Sequence, residues 1–385
     1  MPHSENQRDL ILKFNTFKSY QHRIKTKKTG NKAKENGEFV QLPWDMLDII
    51  CKALDFEDLL SFSGVCKSWR TFHKTNFLSS QEPLLVRFMI RNGSESYSFI
   101  SIPNEKVYDL KMMTSFPRPK FTYVRVSSGY FIMACENNSF MLFNSFTRIK
   151  KVIQTPFPVD SHLFAQYEAL LAFEKCSQEY VLVVLSYRFS CLYVYQTRHN
   201  GWVIYPTFKS EEVVVDFVVL NNIIYVVTNN ANIGILNLNS GNIQFLNLKN
   251  TPPPKVPSRV PSNSFKLVNC DDQLLLFHSI SSFQREVYKI DFSTMNYVEM
   301  DSLGDIALFY VSWRNCRALS NPERFGYQSN HVYEVNNLSQ CTKFDWNDGF
   351  CPSKIYPYLG SRRDFNFFDW CFRHVKYQVD YSLVE

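Results

Sequence analysis

The histidines and cysteines are the side chains in this sequence that most readily bind metals or act as nucleophiles. The chain has eight His and ten Cys. No two Cys form a CxxC pair, and no two His stand four residues apart, so the spacings of zinc sites are missing. The sequence also has no GxSxG, HExxH, GxxxxGK or GxGxxG motif. We therefore expect no catalytic residue, no metal site and no cofactor, and we expect the cysteines to be buried and reduced.

A basic segment precedes the part of the chain that is predicted to fold. Residues 1–41 carry nine Lys and Arg against four Asp and Glu, which accounts for +5 of the formal net charge of +6. A nucleic-acid-binding domain carries its basic surface on the folded part, so we expect no nucleic-acid partner. We interpret residues 1–38 as a disordered leader. Its densest basic point, Lys25 to Lys28, is either a nuclear-localisation signal or a solvated stretch, and we expect residence in the nucleus and/or the cytoplasm.

The apolar pattern is that of a water-soluble globular protein. Hydrophobic residues make up 45% of the chain and charged residues 20%, which is typical of folded domains. The longest apolar runs, such as Val181 to Leu185, are far shorter than the roughly 20 residues of a membrane span. The first 30 residues have no apolar region of the kind that a secretory signal needs. We therefore expect neither a membrane nor a secretory pathway.

Short amphipathic helices are predicted between residues 39 and 80. Apolar residues recur at helical spacing, first at Leu47, Ile50, Cys51 and Leu54, and then at Leu59, Phe62, Cys66 and Trp69. Pro43 suits a helix start, where the missing N–H costs nothing. About 40 residues of such helices bury too little apolar surface to be stable alone. We expect their exposed apolar face to need a partner.

The same segment resembles an F-box. The resemblance rests on pairs that occur in the right order: Leu42-Pro43, Asp58-Leu59, Val65-Cys66 and Trp69-Arg70. Asp45 matches the acidic residue that usually follows Leu-Pro, and Cys51 departs from a position where a larger aliphatic residue is commoner. The resemblance implies a three-helix F-box at residues 39–80 that docks on the Skp-type adaptor of a cullin-RING ubiquitin ligase. The adaptor-binding residues that it implies are Leu42, Pro43, Asp45, Leu47, Ile50, Leu54, Leu59, Val65 and Trp69. The alternative is that these helices only cap the next domain.

From residue 81 onward, short runs rich in Val, Ile, Phe and Tyr alternate with polar turns, which predicts many antiparallel strands. One phrase recurs six times, each time as an aliphatic-aromatic strand that ends in a polar residue. The six ends are Asn104, Asn144, Gln196, Asn239, Asp291 and Asn336. Spacings of 40 to 52 residues are typical of four-stranded propeller blades. We therefore predict an α+β multidomain chain in which residues 81–385 form an all-β domain, in the first instance a propeller of six or seven blades and alternatively an irregular pair of β-sandwiches.

A second resemblance extends over most of this β domain. The unit Val215 to Gly241, and the stretch from Leu303-Gly304-Asp305 through Cys316, resemble a plant F-box group whose C-terminal domain of unknown function is propeller-like. Two regions depart from the pattern. The segment after Trp346 does not match the group's closing segment, which leaves closure of the ring open, and Val311 to Asn321 is unexpectedly polar and basic.

The function that these observations favour is that of a substrate-recognition subunit of an SCF-type ubiquitin ligase. The F-box would bind the Skp-type adaptor and, through it, the cullin-RING ligase, while the β domain would bind a target protein. The alternative function is a propeller-based small-molecule enzyme or binding protein whose N-terminal helices only cap the fold. We expect no intrinsic enzymatic activity, because the sequence carries no catalytic motif.

Overall fold

A computed structural model describes residues 42–54, 58, 62, 65–76, 83–91, 94–111, 121–144, 149–159, 167–175, 177, 179–189, 191–206, 212–252, 264–281, 284–311, 314–336, 340–348, 352–355, 365–372 and 377–383. The chain divides into two compact units, residues 1–81 and residues 82–385. The predicted leader, including Lys25 to Lys28, and the predicted adaptor contact Leu59 lie outside the described residues.

The first unit contains two described helices, α1 (Trp44–Ala53) and α2 (Lys67–Asn76). Pro43 is the cap residue of α1, with φ −55° and ψ 150°, and its carbonyl accepts hydrogen bonds from the N–H groups of Met46 and Leu47 at 3.1 Å. Asp45 lies in the first turn, where the helix dipole favours a negative charge. Between the helices, Asp58 and Phe62 are also helical. The predicted three-helix arrangement depends on residues beyond those described and stays a prediction.

The second unit is a six-bladed β-propeller. Its strands are β1 (Leu84–Arg91), β2 (Ser94–Ser101), β3 (Lys106–Lys111), β4 (Phe121–Ser127), β5 (Tyr130–Cys135), β6 (Ser139–Phe143), β7 (Lys150–Gln154), β8 (Tyr167–Glu174), β9 (Tyr180–Ser186), β10 (Cys191–Gln196), β11 (Gly201–Pro206), β12 (Val214–Leu220), β13 (Ile223–Thr228), β14 (Ile233–Asn237), β15 (Asn242–Phe245), β16 (Phe265–Cys270), β17 (Gln273–Ser279), β18 (Arg285–Asp291), β19 (Asn296–Glu299), β20 (Ile306–Val311), β21 (Asn315–Ser320), β22 (His331–Val335), β23 (Cys341–Asp345), β24 (Pro352–Ile355), β25 (Phe365–Cys371) and β26 (Gln378–Val379). Short 3-10 helices occupy Pro322–Phe325 and Tyr381–Leu383.

Each blade is one antiparallel sheet, apart from two parallel additions. From the inner strand outward, blade I is β25-β1-β2-β3, blade II is β4 to β7, blade III is β8 to β11 with β26 inside β8, blade IV is β12 to β15, and blade V is β16 to β19. Blade VI has the order β21-β20-β22-β23-β24. The recurring sequence phrase is the third strand of its blade in all six cases. The prediction of a propeller is confirmed, and the number of blades is six.

The burial pattern explains why the sequence reads as many short apolar runs. Inner strands such as β4 and β12 are buried at every position, because neighbouring blades cover both of their faces, and they therefore lack the alternation of a half-exposed strand. The outer strands β7 and β15 are mostly exposed. Aromatic side chains fill the wedges between blades, and Phe309 of blade VI contacts the edge of Trp370 of blade I at a centroid distance of 4.8 Å.

The chain has only 12 glycines, and many of its described turns place asparagine in the left-handed conformation. Asn221 and Asn222 adopt φ of 48° and 66° in the hairpin between β12 and β13, and Asn138, Asn200 and Asn330 also adopt positive φ. Asn tolerates the left-handed conformation better than other residues with a Cβ. A glycine-poor sequence can therefore build a propeller.

The ring closes between distant parts of the chain. Strand β25 pairs antiparallel with β1, with Leu84 opposite Cys371 and Phe88 opposite Phe367. This pairing gives blade I its inner strand and leaves the inner edge of β1 covered. The closing segment departs from the family pattern in sequence, and the ring nevertheless closes through it.

Blade VI explains the polar stretch Val311 to Asn321. Strand β20 pairs in parallel with β22, while β21 folds back antiparallel to β20 and takes the innermost position. Asn315 and Arg317 lie on this strand and are 1% and 8% exposed. Asn315 and Arg317 therefore belong to the inner surface of the ring.

Candidate functional site

The first candidate surface lies on helix α1. Trp44, Met46 and Ile49 are 50%, 41% and 47% exposed, and Pro43 and Asp45 beside them are exposed too. Trp44 contacts the edge of Phe72 at a centroid distance of 5.8 Å, so its ring is oriented by α2. An exposed cluster of large apolar side chains on one helix is typical of a protein-binding surface. We call Pro43, Trp44, Asp45, Met46 and Ile49 the α1 face.

The predicted adaptor residues divide between this face and the core beneath it. Leu47 and Trp69 are 0% and 6% exposed and belong to the core of the helical unit together with Cys51, Phe62 and Phe72. Trp69 stacks on Phe62 at 4.4 Å. Four further predicted residues are partly buried against this core, namely Leu42, Ile50, Leu54 and Val65.

Sequence reasoning missed Trp44, Met46 and Ile49. The apolar stripe through Leu47, Ile50 and Leu54 indicates the buried face of the helix. The exposed apolar residues lie outside that stripe, so a search for helical periodicity does not select them. Met46 and Ile49 stand three residues apart, which places them on a common face. That spacing is a signal that the sequence contains.

The second candidate site is the interior of the ring, where each of the six inner strands contributes a buried charged side chain. None of the six is more than 8% exposed. In ring order they are Asp369, Arg125, Glu168, Asp216, Lys266 and Arg317. We call this set the central charge cluster. Inner strands of adjacent blades contact one another around the ring, which brings residues far apart in sequence together.

Arg125 connects three blades. Its Nη1 lies 3.3 Å from Glu168 Oε2 and 3.9 Å from Asp216 Oδ1. Register shifts characteristic of β-bulges stand directly before Arg125 and directly before Asp216. A bulge redirects the side chain that follows it, so the backbone of both strands turns these two groups toward each other.

The carboxylates of Asp369 and Asp216 also accept backbone hydrogen bonds from the next blade. Asp369 Oδ2 accepts from Val126 N at 2.7 Å and from the Tyr123 hydroxyl at 2.6 Å, and Asp369 Oδ1 accepts from Asn315 Nδ2. Asp216 Oδ2 accepts from Leu267 N at 2.9 Å. Because adjacent inner strands belong to different sheets, these side chains satisfy backbone donors that no strand pairing reaches.

Burial and charge shift the pKa values in the cluster. Burial lowers the pKa of Arg125, but the carboxylates of Glu168, Asp216 and Asp369 more than offset this effect, so the pKa is raised. Burial raises the pKa of Glu168, and the charge of Arg125 opposes the shift. Burial and the neighbouring Asp369 hold the pKa of Tyr123 well above its ordinary value.

A C-terminal segment, Tyr377 to Leu383, borders the cluster. Strand β26 runs parallel to β8 on its inner side, and Phe173 N donates to Tyr377 O at 2.9 Å. Arg317 Nη1 donates to the Tyr377 hydroxyl at 2.6 Å, while its Nη2 donates to Val126 O at 2.7 Å. The segment therefore joins blades III and VI across the interior.

The remaining chemistry-bearing groups of the described residues are dispersed. His199, His278 and His331 belong to different blades, and no three His, Cys, Asp or Glu of the described ranges group as metal ligands would. Burial raises the pKa of Cys51 and of Cys270 to about 12, so both thiols are protonated and unreactive near neutral pH. None of the helices in this part of the chain has the length and apolar character needed to cross a membrane.

Comparison with known families agrees with this architecture. A model of the F-box domain matches residues 39–76, and a model described as KIB1-4 beta-propeller matches residues 99–368. The chain belongs to the KIB1-4 beta-propeller family. The predicted kinship with plant F-box proteins that carry a propeller-like domain is confirmed.

Two curated relatives come from Arabidopsis thaliana. An F-box/kelch-repeat protein is 24% identical over 320 residues, which cover 80% of this chain and 87% of the relative. An F-box protein is 22% identical over 283 residues, or 70% of this chain and 72% of the relative. Among solved structures, apo AztD from Citrobacter koseri covers 60% of this chain and 61% of its own, with a TM-score of 0.33 and 13% identity. A TM-score of this size supports no argument about function.

Proposed function

We propose that this KIB1-4 propeller protein is the substrate-recognition subunit of an SCF-type cullin-RING ubiquitin ligase. The observation that carries the proposal is the F-box match at residues 39–76, which coincides with a helical unit that exposes the apolar α1 face. In this proposal, the Skp-type adaptor covers the α1 face and the propeller holds a target protein. The chain itself has no enzymatic activity. It accelerates ubiquitin transfer because it keeps the target at a high effective concentration beside the conjugating enzyme.

Within the helical unit, we assign two different roles to the predicted adaptor residues. Pro43 and Asp45 contact the adaptor directly, together with Trp44, Met46 and Ile49. The partly buried residues Leu42, Ile50, Leu54 and Val65 border this contact, and Leu59 remains assigned to it from the sequence resemblance. Leu47 and Trp69 support the contact through the core beneath it, because their side chains are buried.

The experiment that tests this function is co-purification of the full chain with a plant Skp-type adaptor. The informative variant is Ile49→Asp, which places a charge in the centre of the α1 face and leaves the core residues unchanged. The matched control is Val298→Asp, since Val298 is a similarly exposed β-branched residue, 46% against 47%, on the outer strand β19 of the propeller. We expect the wild type and Val298→Asp to bind the adaptor stoichiometrically and Ile49→Asp to lose at least tenfold in affinity.

Two results would contradict the proposal. A folded wild-type chain that binds no Skp-type adaptor would favour the alternative in which the helices only cap the propeller. Equal adaptor binding by Ile49→Asp and Val298→Asp would place the contact away from the α1 face. For localisation, we propose the nucleus and/or the cytoplasm, and a fluorescent fusion with Lys25, Lys27 and Lys28 changed to Ala tests whether the basic leader directs the chain to the nucleus.

A further inference from the structure

Of the three cations in the central charge cluster, Lys266 is the one whose charged group has neither an ion pair nor a hydrogen bond among the described residues. Lys266 is 0% exposed, and its Nζ has no hydrogen-bond partner in the structure. No carboxylate of the described residues lies within ion-pair distance of it. An isolated ammonium buried in this way is strongly unfavourable unless something pairs with it.

The carboxylates of the cluster are already engaged. Glu168 pairs with Arg125, Asp369 accepts three hydrogen bonds from Tyr123, Val126 and Asn315, and Asp216 accepts from Leu267 N. Leu267 directly follows Lys266, so the Asp216 carboxylate approaches the same strand and still leaves Lys266 Nζ unpaired. Burial raises the pKa of Glu168 and of Cys316, and the positive charge of Lys266 opposes both shifts, which places Lys266 among the groups of the cluster.

Other buried polar atoms in the ring interior also have no hydrogen-bond partner in the structure. They are Arg125 Nε, Arg317 Nε, Asp216 Oδ1 and Asn315 Oδ1. Buried polar atoms are normally satisfied, and here the unsatisfied ones, together with Lys266 Nζ, stand on four of the six inner strands, β4, β12, β16 and β21. Of these four atoms and Lys266 Nζ, three are donors on cationic side chains and two are acceptor oxygens.

We propose that the ring interior binds a small inorganic oxyanion, of the size and chemistry of hydrogen phosphate, with Lys266 as its principal ligand. The oxygens of such an anion accept from the ammonium group of Lys266 and from the Nε donors of Arg125 and Arg317. The single hydroxyl group of hydrogen phosphate donates to Asp216 Oδ1. The enclosure of the cluster, in which no member is more than 8% exposed, restricts the ligand to a small free ion and excludes a phosphorylated side chain of another protein.

This anion has a structural role in the proposal. It pairs with the ammonium group of Lys266 in the interior that the six inner strands surround, and it links blades II, IV, V and VI through their side chains. The proposal goes beyond ligase function and does not depend on adaptor binding.

The experiment uses the full chain, inorganic phosphate as the probe and two variants. Lys266→Met removes the charge and keeps most of the side-chain volume, whereas Lys289→Met removes an exposed lysine from β18 of the same blade. Each protein is incubated with phosphate, desalted into chloride buffer of equal ionic strength and denatured, and the released anions are counted by ion chromatography. We expect a single phosphate per chain from the wild type and from Lys289→Met, and at least a tenfold lower amount from Lys266→Met.

Thermal unfolding gives an independent readout. A ligand that binds only the folded state stabilises it in proportion to the logarithm of its concentration. For a ring of this size, each tenfold increase of phosphate above the dissociation constant raises the Tm of the wild type by about 2 °C. We expect no such dependence for Lys266→Met, and in chloride alone we expect this variant to be at least as stable as the wild type, because it lacks the unpaired charge.

Two outcomes would overturn the proposal. One is a wild type that neither releases an oxyanion nor responds to phosphate, a result that needs no variant to interpret and that would assign the polar atoms to buried water. The other is an equal phosphate response in the wild type and in Lys266→Met, which would place the anion elsewhere. Release of a different oxyanion from freshly purified wild type, identified by mass spectrometry and lost in Lys266→Met, would support the site.

Discussion

The helical unit and the propeller place their apolar and charged side chains in opposite ways. Among the described residues, the helical unit has a purely hydrophobic core and concentrates three exposed apolar side chains, Trp44, Met46 and Ile49, on one short helix. The propeller places charged side chains at its centre, and its exposed apolar residues are dispersed, including one or more on the outer strands of five separate blades, at Val107, Val152, Ile204, Phe245 and Val298. Scattered apolar residues are normal on a protein surface, whereas a concentrated group indicates a partner.

This contrast separates two kinds of stability. The helical unit is small and buries little apolar surface of its own, and in the proposed function the adaptor completes its contacts. The propeller depends on internal contacts between residues hundreds of positions apart, such as the hydrogen bond from Tyr123 to Asp369. Substitutions in the two regions should therefore differ in whether they reduce folding or binding.

The largest effect is expected in the aromatic core where the ring closes. Trp370 is 0% exposed and contacts the edge of Phe309 at 4.8 Å. We expect Trp370→Ala to lower the free energy of unfolding by roughly 3–5 kcal/mol, because it removes a buried aromatic side chain and leaves a cavity. Urea denaturation followed by circular dichroism measures this loss. A loss below 1 kcal/mol would show that closure contributes little to stability.

A slightly smaller effect is expected in the central charge cluster. Arg125→Met leaves the carboxylates of Glu168 and Asp216 buried without their cation, and we expect a loss of about 3 kcal/mol. The double variant Arg125→Met with Glu168→Leu should recover part of this loss, since it removes one of the unpaired charges. A double-mutant cycle by urea denaturation measures the coupling. Strictly additive losses would contradict an interaction between the two residues.

The buried thiols predict a dependence on alkaline pH. The folded-state pKa of Cys270 is raised from 9.0 to about 12, so the folded state favours the protonated thiol. The stabilisation is complete below pH 9 and is lost as the pH rises toward 12, because the unfolded chain ionises first. We expect up to about 1.4 kcal/mol of lost stability for each pH unit in this window from this thiol. Cys270→Ala should reduce the slope of stability against pH between 9 and 10, and an unchanged slope would contradict the burial of the thiol.

The smallest effect on stability is expected at the exposed tryptophan of the helical unit. Trp44 is half exposed and contributes one edge contact with Phe72, so Trp44→Ala should cost about 1 kcal/mol or less. Its effect on adaptor binding should exceed its effect on stability, which is the reverse of what we expect for Trp370→Ala. Thermal unfolding and adaptor co-purification of both variants test this reversal. A large loss of stability in Trp44→Ala would assign this residue to the core.

The sequence contains enough local information to predict the repeating blade and the buried helix face. The six phrases each coincide with a third strand, because that strand lies between two others and repeats the same apolar requirement. The stripe through Leu47 and Trp69 identifies the helical core for the same reason. These patterns depend on neighbours within a few residues or within one blade.

The rest depends on contacts that local patterns do not encode. Arg125, Asp216 and Lys266 are single charges within apolar strands, a signal visible in the sequence, but their convergence follows only from ring closure. The exchange of β20 and β21 in blade VI reverses the order that the other blades predict, and only the polarity of Asn315 and Arg317 indicates it. The α1 face was missed because exposure of apolar residues is a property of the folded surface.

The pairing of β25 with β1 can form only near the end of synthesis. Strand β1 ends at Arg91 and its partner begins at Phe365, so roughly 15–60 s of translation separate the two at about 5–20 residues per second. During that interval the inner edge of β1 stays unpaired while the five other blades form in succession. Chaperones that protect strand edges should therefore associate with ribosomes carrying this chain until the closing strand emerges, and ribosome profiling of chaperone-bound nascent chains would show that interval directly.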